Sequence, residues 1–449
     1  MPIIVAGLGF APEHIPSQVK ELLARATLIA AGQSNLELIA RDCGPIASPC
    51  LTLGKDLEKT FAALWAEHTR GGVALLLASG DPLFFGAAST LRNWLRSTYG
   101  RKALRDLHII PNISSMQAMA ARLGLDWSDL PGVSLHGRTD WFPLWQALAQ
   151  ARSSHICLLT DNVRTPAHVA NALITRGCED SLLHIFSRLG SDAEDYACLP
   201  LKEARNYNAP DPNALILERI AAPGQPLVFG RDDASFINDA GLMTKGPARA
   251  VAIAALRLEA GQTLWDLGAG SGAVGLEAAA LLPRGRIFAV ERDAARANMI
   301  FDNRRLCGPG PRETPPPDRP GARRACPAPA PFFFGGWHLE IIHAELPGGL
   351  SELPDPDRIF IGGGLETDKA GVPPDSCLAV ACDRLKPGGR LVVNCVLQSS
   401  LQAALAYFRQ ISWPVETTLL QAAQSRPLGG SEHFAAQNPV FILAAAKPE

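Results

Sequence analysis

The sequence predicts an α/β protein built as two successive modules, and three observations carry that prediction. Short apolar runs bounded by turn residues alternate with amphipathic stretches along nearly all of the 449 residues, the pattern of strands buried in helix-covered sheets. The segment AAPGQPL (221–227) then interrupts the alternation with two prolines and a glycine, and a second series starts behind it. Finally, the chain closes on two long β-rich runs, which puts an antiparallel pair at one sheet edge. The length agrees, since a single domain typically holds ~150 residues.

In the first module, taken as 1–222, the runs IIVAGL (3–8), TLIAA (27–31), VALLLAS (73–79), LHIIP (107–111), HICLLT (155–160) and ALILERI (214–220) read as buried strands. Apolar residues at helical spacing mark 57–68, 87–97 and 115–123 as helices, so a mostly parallel sheet is expected. The strands fall into two sets that split near residue 112, which predicts two lobes with a cleft between them. In the second module, 223–449, helix 246–257, strand 262–267, helix 273–282, strand 285–291 and helix 293–305 follow in βαβ order. Strands at 338–343, 357–362 and 390–396 come next. PVETTLLQAA (414–423) and NPVFILAAAK (438–447) form the terminal pair, with SRPLGGSEHFAAQ (425–437) as the loop joining them. Nine prolines among the 25 residues 307–331 exclude a helix or central strand there, and the segment reads as a solvated surface insertion.

Lys and Arg total 42 against 44 Asp and Glu, a net charge of −2, so the basic footprint of a nucleic-acid binder is missing and an anionic ligand must be met by a local cluster. The ten cysteines are scattered without a C-x-x-C pair, so reduced thiols and no metal site are expected. The start MPIIVAGLGF has no secretory pattern, and the densest apolar run, Val73 to Ala78, is far below the ~20 residues of a membrane span. A cytoplasmic protein without a membrane partner is the expectation.

Chemistry concentrates at LWDLGAGSGAVGLEAA, where an apolar strand passes into a helix through Gly268, Ala269, Gly270, Ser271 and Gly272. Glycines let the backbone turn tightly and approach a ligand whose charge faces the helix N-terminus. Gly270, Gly272 and Gly275 also fit G-x-G-x-x-G, so a nicotinamide cofactor stays open at this point. Asp266, placed to hold water or an ammonium group, and Glu291 at the end of IFAVE, placed to accept from ribose hydroxyls, point to S-adenosylmethionine. The terminal antiparallel pair adds weight, because it closes the sheet of class I methyltransferases and is not the usual end of a dinucleotide domain.

Together with GLMTKGPARAVAIAAL, AVERD, LPDPDRIFIGGG, LKPGGRLVVNCV and NPVFIL, this turn resembles the decarboxylating methyltransferase family of cobalamin biosynthesis, a Rossmann-like class I methyltransferase fold. The likeness runs from about Phe229 to the end, interrupted by the proline-rich insertion. FIGGG (360–364) is its most specific element. The resemblance implies cofactor contacts at Thr244, Gly268 to Gly272, Glu291 and the stretch HAELP, where Glu345 accepts from the adenine amino group and Leu346 packs on the base. His343 beside it reads as a polar strand-end residue.

In the first module ASGDPLFFG (78–86) ends a strand in a loop whose Gly80, Asp81 and Pro82 offer main-chain groups at the carboxyl end of the sheet. With VAGLGFAPEHI (5–15), PNISSMQAMAARLGL (111–125) and LLTDNVRTPAHVA (158–170), it resembles the bilobed tetrapyrrole methylase family (class III methyltransferases), in the branch acting on precorrin-6. That implies a second S-adenosylmethionine site in the cleft, with Ser114 among its contacts. The family's first loop commonly reads Gly-x-Gly-Pro-Gly, whereas Phe10-Ala11-Pro12 follow Gly9 here.

The order of modules resembles the fused precorrin-6Y methyltransferase family. This implies methylation of ring carbons 5 and 15 of a tetrapyrrole with loss of the ring C acetate carboxyl group, and a homo-oligomer. Transfer from a sulfonium needs mainly positioning, in keeping with a chain that shows no nucleophile triad. Lys245 and Arg249, with Arg231 behind them, are the cations expected to meet substrate carboxylates. Two alternatives remain at this stage, a nicotinamide-dependent oxidoreductase on the same ring and a catalytically silent module that only binds.

Overall fold

The computed structural model describes residues 2–54, 56–150, 153–219, 227–239, 241–306, 336–363, 365 and 372–449. The proline-rich stretch 307–331, most of 221–227 and Gly364 lie outside these. Two compact units emerge, Met1–Thr139 with His155–Arg219 and Asp140–Ser154 with Ile220–Glu449.

The first unit holds two sheets. β1 (Ile3–Gly7), β2 (Leu28–Ala31), β3 (Cys50–Thr52), β4 (Ala74–Ala78) and β5 (Leu107–Ile110) pair in the order β3-β2-β4-β1-β5, all parallel. Every residue of β1 and β4 is buried, because helices cover both faces, and this is why these strands are apolar without alternation. β6 (Gly132–Ser134), β7 (His155–Leu159), β8 (Ser181–Ser187), β9 (Asp195–Pro200) and β10 (Asn213–Arg219) form the other sheet, ordered β6-β7-β10-β8-β9. Only β6 and β7 are parallel there, and the other pairings are antiparallel. The expected mostly parallel sheet therefore holds for the first lobe alone. β9 was hidden from the apolar pattern because its residues are half-buried or exposed. The chain passes between the lobes at 111–114, where Ser114 caps the helix Ser115–Leu123.

In the second unit β11 (Thr263–Leu267), β12 (Arg286–Glu291), β13 (Leu339–His343), β14 (Arg358–Ile361), β15 (Arg390–Cys395), β16 (Val415–Leu420) and β19 (Val440–Ala446) build a seven-stranded sheet, β13-β12-β11-β14-β15-β19-β16. The first five in this order are parallel, and β19 is antiparallel to both β15 and β16, the terminal pair anticipated from sequence. The stretch between them is no plain loop. β17 (Ala423–Leu428) and β18 (Ser431–Ala436) make a separate antiparallel hairpin, closed by Gly429 and Gly430 at φ of 57° and 84°, as a primed two-residue turn requires. Its side chains bury too little to leave an apolar signature. Helices Gly246–Leu256 and Ala273–Leu281 cover one face of the main sheet, and Cys377–Arg384 and Gln398–Gln410 the other. The helix Phe142–Gln150 also belongs to this unit, where the Gln146 amide donates to the Arg284 carbonyl at 2.9 Å and Arg286 pairs with Asp140 at 3.2 Å.

Candidate active sites

In the seven-stranded sheet the chain order reverses between β11 and β14, so the loops leaving their carboxyl ends diverge and open a crevice there. The glycine turn fills one wall. Gly268 and Ala269 donate their N–H groups to the Val290 carbonyl at 3.0 and 3.1 Å, fastening the turn to β12. Gly272 has φ of +74°, and a Cβ there would fall 2.6 Å from Ile300 Cγ2, so only glycine fits. Above Gly270 a Cβ would meet open space. That is the cradle a ligand needs in order to approach the backbone.

Glu291, at the end of β12, is 5% exposed. Its two oxygens accept from the Gly270 N–H at 2.9 Å and the Asp293 N–H at 3.0 Å, which orients the carboxylate at the turn while each oxygen keeps a lone pair. Asp266 is fully enclosed, with Oδ2 accepting from the Gly275 N–H at 2.8 Å. Among the described residues Oδ1 accepts nothing. Burial pushes its carboxyl up to about 7, the Gly275 N–H opposing and the Glu291 charge adding to the rise. Asp266 therefore ties the turn to the helix behind it and leaves one oxygen for a water or an ammonium group. On the other wall the Gly362 N–H donates to the Leu267 carbonyl at 3.2 Å, and Gly363 lies beside Gly268.

Glu291 and His343 stand side by side at the ends of β12 and β13. Behind His343 the Ala344 N–H donates to the Glu291 carbonyl at 3.1 Å. This brings exposed Glu345 and half-buried Leu346 to the same end of the sheet. His343 Nε2 lies 3.0 Å from the Arg292 carbonyl at the surface, as a strand-end residue would.

The cations are rearranged relative to the sequence reading. Arg249 has no exposed surface. Its guanidinium donates to Glu277 Oε1 at 2.7 Å, Asp233 Oδ1 at 2.9 Å, the Thr244 carbonyl at 2.6 Å and the Arg231 carbonyl at 2.8 Å. Glu277, 1% exposed, also accepts from the backbone N–H groups of Gly230 and Arg231. The expectation that Arg249 meets substrate is thus corrected, because its donors are committed to Glu277, Asp233 and the carbonyls of Thr244 and Arg231. Arg231 is buried as well, with its guanidinium 4.6 Å over the Phe236 ring. Lys245 is placed differently. It is half-buried at the start of helix Gly246–Leu256, and Nζ makes one described hydrogen bond, 2.8 Å to the Gly241 carbonyl. Thr244 beside it is half-buried with its carbonyl held by Arg249.

Sequence reasoning passed over Glu277 and Asn303. Buried Asn303 accepts from the Ile237 N–H at 2.7 Å and donates to the carbonyls of Ile237 and Ser271, joining the segment before Thr244 to the glycine turn. An acid inside the otherwise apolar helix Ala273–Leu281 and an amide in Ala294–Leu306 are the signals available, and neither carries a spacing motif.

In the first unit Gly80 and Gly9 form an isolated bridge, with the Gly80 N–H donating to the Gly9 carbonyl at 3.0 Å. Asp81 accepts from Leu83 and Phe84 N–H through Oδ1 and from the Asn112 N–H through Oδ2. Pro82 is buried, its carbonyl accepting from the Ala88 N–H. The Asn112 amide, another residue passed over, donates to the carbonyls of Gly7 and His14, both at 2.9 Å. The Ser114 hydroxyl is buried in a reciprocal cap with Gln117. Asp81 and Ser114 thus shape the loops with their side chains. Phe10, where the family commonly has proline, lies across the cleft. A Cβ on Gly80 would fall 2.6 Å from Phe10 Cζ, and one on Gly190 of the other lobe 2.5 Å from Phe10 Cβ.

Comparison with known proteins agrees with both halves. The tetrapyrrole (corrin/porphyrin) methylase family model matches residues 2–205, and the precorrin methyltransferase domain model matches 234–338 and 333–447. A precorrin-6Y C(5,15)-methyltransferase [decarboxylating] of Sinorhizobium sp is 30% identical over 448 residues, 97% of this chain and 92% of that one. One of Mycobacterium tuberculosis is 28% identical across 99% of this chain and all of its own. A cobalt-precorrin-6B C(15)-methyltransferase (decarboxylating) of Salmonella typhimurium is 31% identical over 208 residues, 46% of this chain and 90% of that one.

Proposed function

Because the chain belongs to the precorrin-6Y C(5,15)-methyltransferase (decarboxylating) family, we propose that it methylates ring carbons 5 and 15 of precorrin-6Y and removes the carboxyl group of the ring C acetate, using S-adenosylmethionine in each of two modules, 1–222 and 223–449. Membership in a methyltransferase family removes the nicotinamide alternative. The observation that carries the cofactor reading is the convergence of an open glycine cradle, the oriented Glu291 carboxylate and the Glu345-Leu346 loop at one end of the seven-stranded sheet. When bound, S-adenosylmethionine supplies a methyl group activated by its sulfonium.

The residues do the rest by positioning. Glu291 accepts from the ribose hydroxyls with its remaining lone pairs, Leu346 packs on the adenine, Glu345 accepts from its amino group, and Gly268 to Gly272 with Thr244 admit the remainder. Lys245 meets a peripheral substrate carboxylate and fixes the ring's orientation. The electron pair released with CO₂ passes into the conjugated macrocycle and a proton from solvent then takes the place of the carboxyl group, so the protein need only hold the carboxylate away from water while the C–C bond breaks. The first methylation falls to the first module and the second, with decarboxylation, to the second. A cytoplasmic location and a homo-oligomer, to which the exposed β17–β18 hairpin is available, complete the reading. No helix among the described residues is long and apolar enough to cross a membrane.

Mass spectrometry of precorrin-6Y incubated with full-length protein and S-adenosylmethionine tests this. Two methyl gains and one CO₂ loss are expected, and a different mass change refutes it. Phe10 lying against Gly80 favours a second reading, in which the first module only binds substrate. Glu291→Ala decides between them, since retention of one methyl gain supports two active modules and loss of both supports the second reading.

A further inference from the structure

The mixed sheet of the first unit carries a polar cluster that methyl transfer does not use. β10 runs between β7 and β8, setting Glu218 opposite His155 and Ile216 opposite His184. Strand alternation therefore puts His155, His184 and Glu218 on one sheet face. One ligand atom from each lies within 4.8 Å of the others. His184 Nε2 is 2.9 Å from Glu218 Oε2, and its Nδ1 is 2.8 Å from the Tyr196 hydroxyl on β9. The cluster sits at the end of the sheet away from the loop that follows β7.

We propose that His155, His184 and Glu218 bind a divalent transition-metal ion of the zinc class, with Tyr196 as the positioning residue for His184. Two imidazoles and a carboxylate are a donor set for such an ion at roughly 2.0–2.2 Å. Ligand atoms around a tetrahedral ion at those lengths lie about 3.4 Å apart, so the wider gaps, up to 4.8 Å, close by at most about 1.4 Å and the 2.9 Å His184–Glu218 contact opens by about 0.5 Å through side-chain torsions, while the strands hold the backbone. With the ion bound at Nε2, the Nδ1–H would donate to the Tyr196 hydroxyl 2.8 Å away, which holds the ring in that orientation.

The charges facing the site agree. Glu218 supplies the negative charge beside the two imidazoles, and Arg219 on the same strand and Cys198 on β9 are the other ionisable groups near them. An ion here joins three strands, so its role is to hold the lobe together, independent of the methyl-transfer reading.

The test is calorimetric titration of chelator-treated full-length protein with zinc chloride. One ion per chain and a Kd below about 10 μM are expected. His155→Asn and Glu218→Gln, the latter keeping an acceptor for His184, should each weaken binding at least tenfold with unchanged circular dichroism, and Tyr196→Phe by about tenfold. Absence of binding tighter than about 100 μM, or an affinity unaltered in both His155→Asn and Glu218→Gln, overturns the proposal.

Discussion

Replacing Arg249 by methionine separates the two roles its position allows. Its guanidinium has no exposed surface and Glu277 is 1% exposed, so the substitution strands a buried carboxylate. Breaking such a pair costs about 3–5 kcal/mol. Glu277 keeps the Gly230 and Arg231 N–H groups, which places the expected loss near the lower end, about 3 kcal/mol. Because two units need not unfold together, native-state hydrogen exchange of amides in β11 is the suitable assay, and about 3 kcal/mol raises their exchange roughly 100-fold. Adding Glu277→Gln removes the stranded charge, and the double variant should recover at least about 1 kcal/mol. Exchange unchanged in Arg249→Met, with KM for the tetrapyrrole raised tenfold or more, would refute the structural role and restore Arg249 as a substrate contact.

Asp266→Asn should show a pH-dependent gain. With its carboxyl lifted to about 7, the folded protein binds more protons than the unfolded chain between about pH 4 and pH 7, so wild-type stability falls as pH rises through that window. Relative to wild type, the variant should be similar near pH 4 and more stable by on the order of 3–4 kcal/mol at pH 8, and a pH-independent difference in urea unfolding would count against burial as the cause. Gly272→Ala, whose added carbon meets Ile300, should destabilise the second unit. Gly270→Ala, facing open space, should cost only about 1 kcal/mol yet weaken S-adenosylhomocysteine binding at least tenfold by calorimetry. Lys245→Met should raise KM for the polyanionic substrate about tenfold, with a shallower salt dependence and little change in cofactor affinity.

Periodicity marked the strands that are buried on both faces, such as β1, β4, β11 and β15, because uniform burial leaves uniform apolarity. It missed β3, β9 and the β17–β18 hairpin, whose residues are mostly exposed and whose pairing is made by backbone bonds that any side chain permits, and it also missed short β6 and buried β8, where Ser181, His184 and Ser187 break up the apolar run. The glycine turn and Glu291 were legible for a similar reason. A backbone that must approach a ligand excludes side chains at fixed positions, and that exclusion is written in the sequence. The direction of a long side chain is not. Lys245 and Arg249 stand four residues apart on one segment, yet Arg249 is fully buried while Lys245 is half-buried, because Glu277 and Asp233 converge on Arg249 from elsewhere in the chain. His155, His184 and Glu218, equally unmarked by spacing, meet because β10 lies between β7 and β8. The sequence by itself determined the class of fold, the family and the position of the glycine turn. Which charges are buried as braces and which face a ligand was decided only by tertiary structure, since the partner that neutralises a charge is chosen by strand order and helix packing, not by neighbours in the chain.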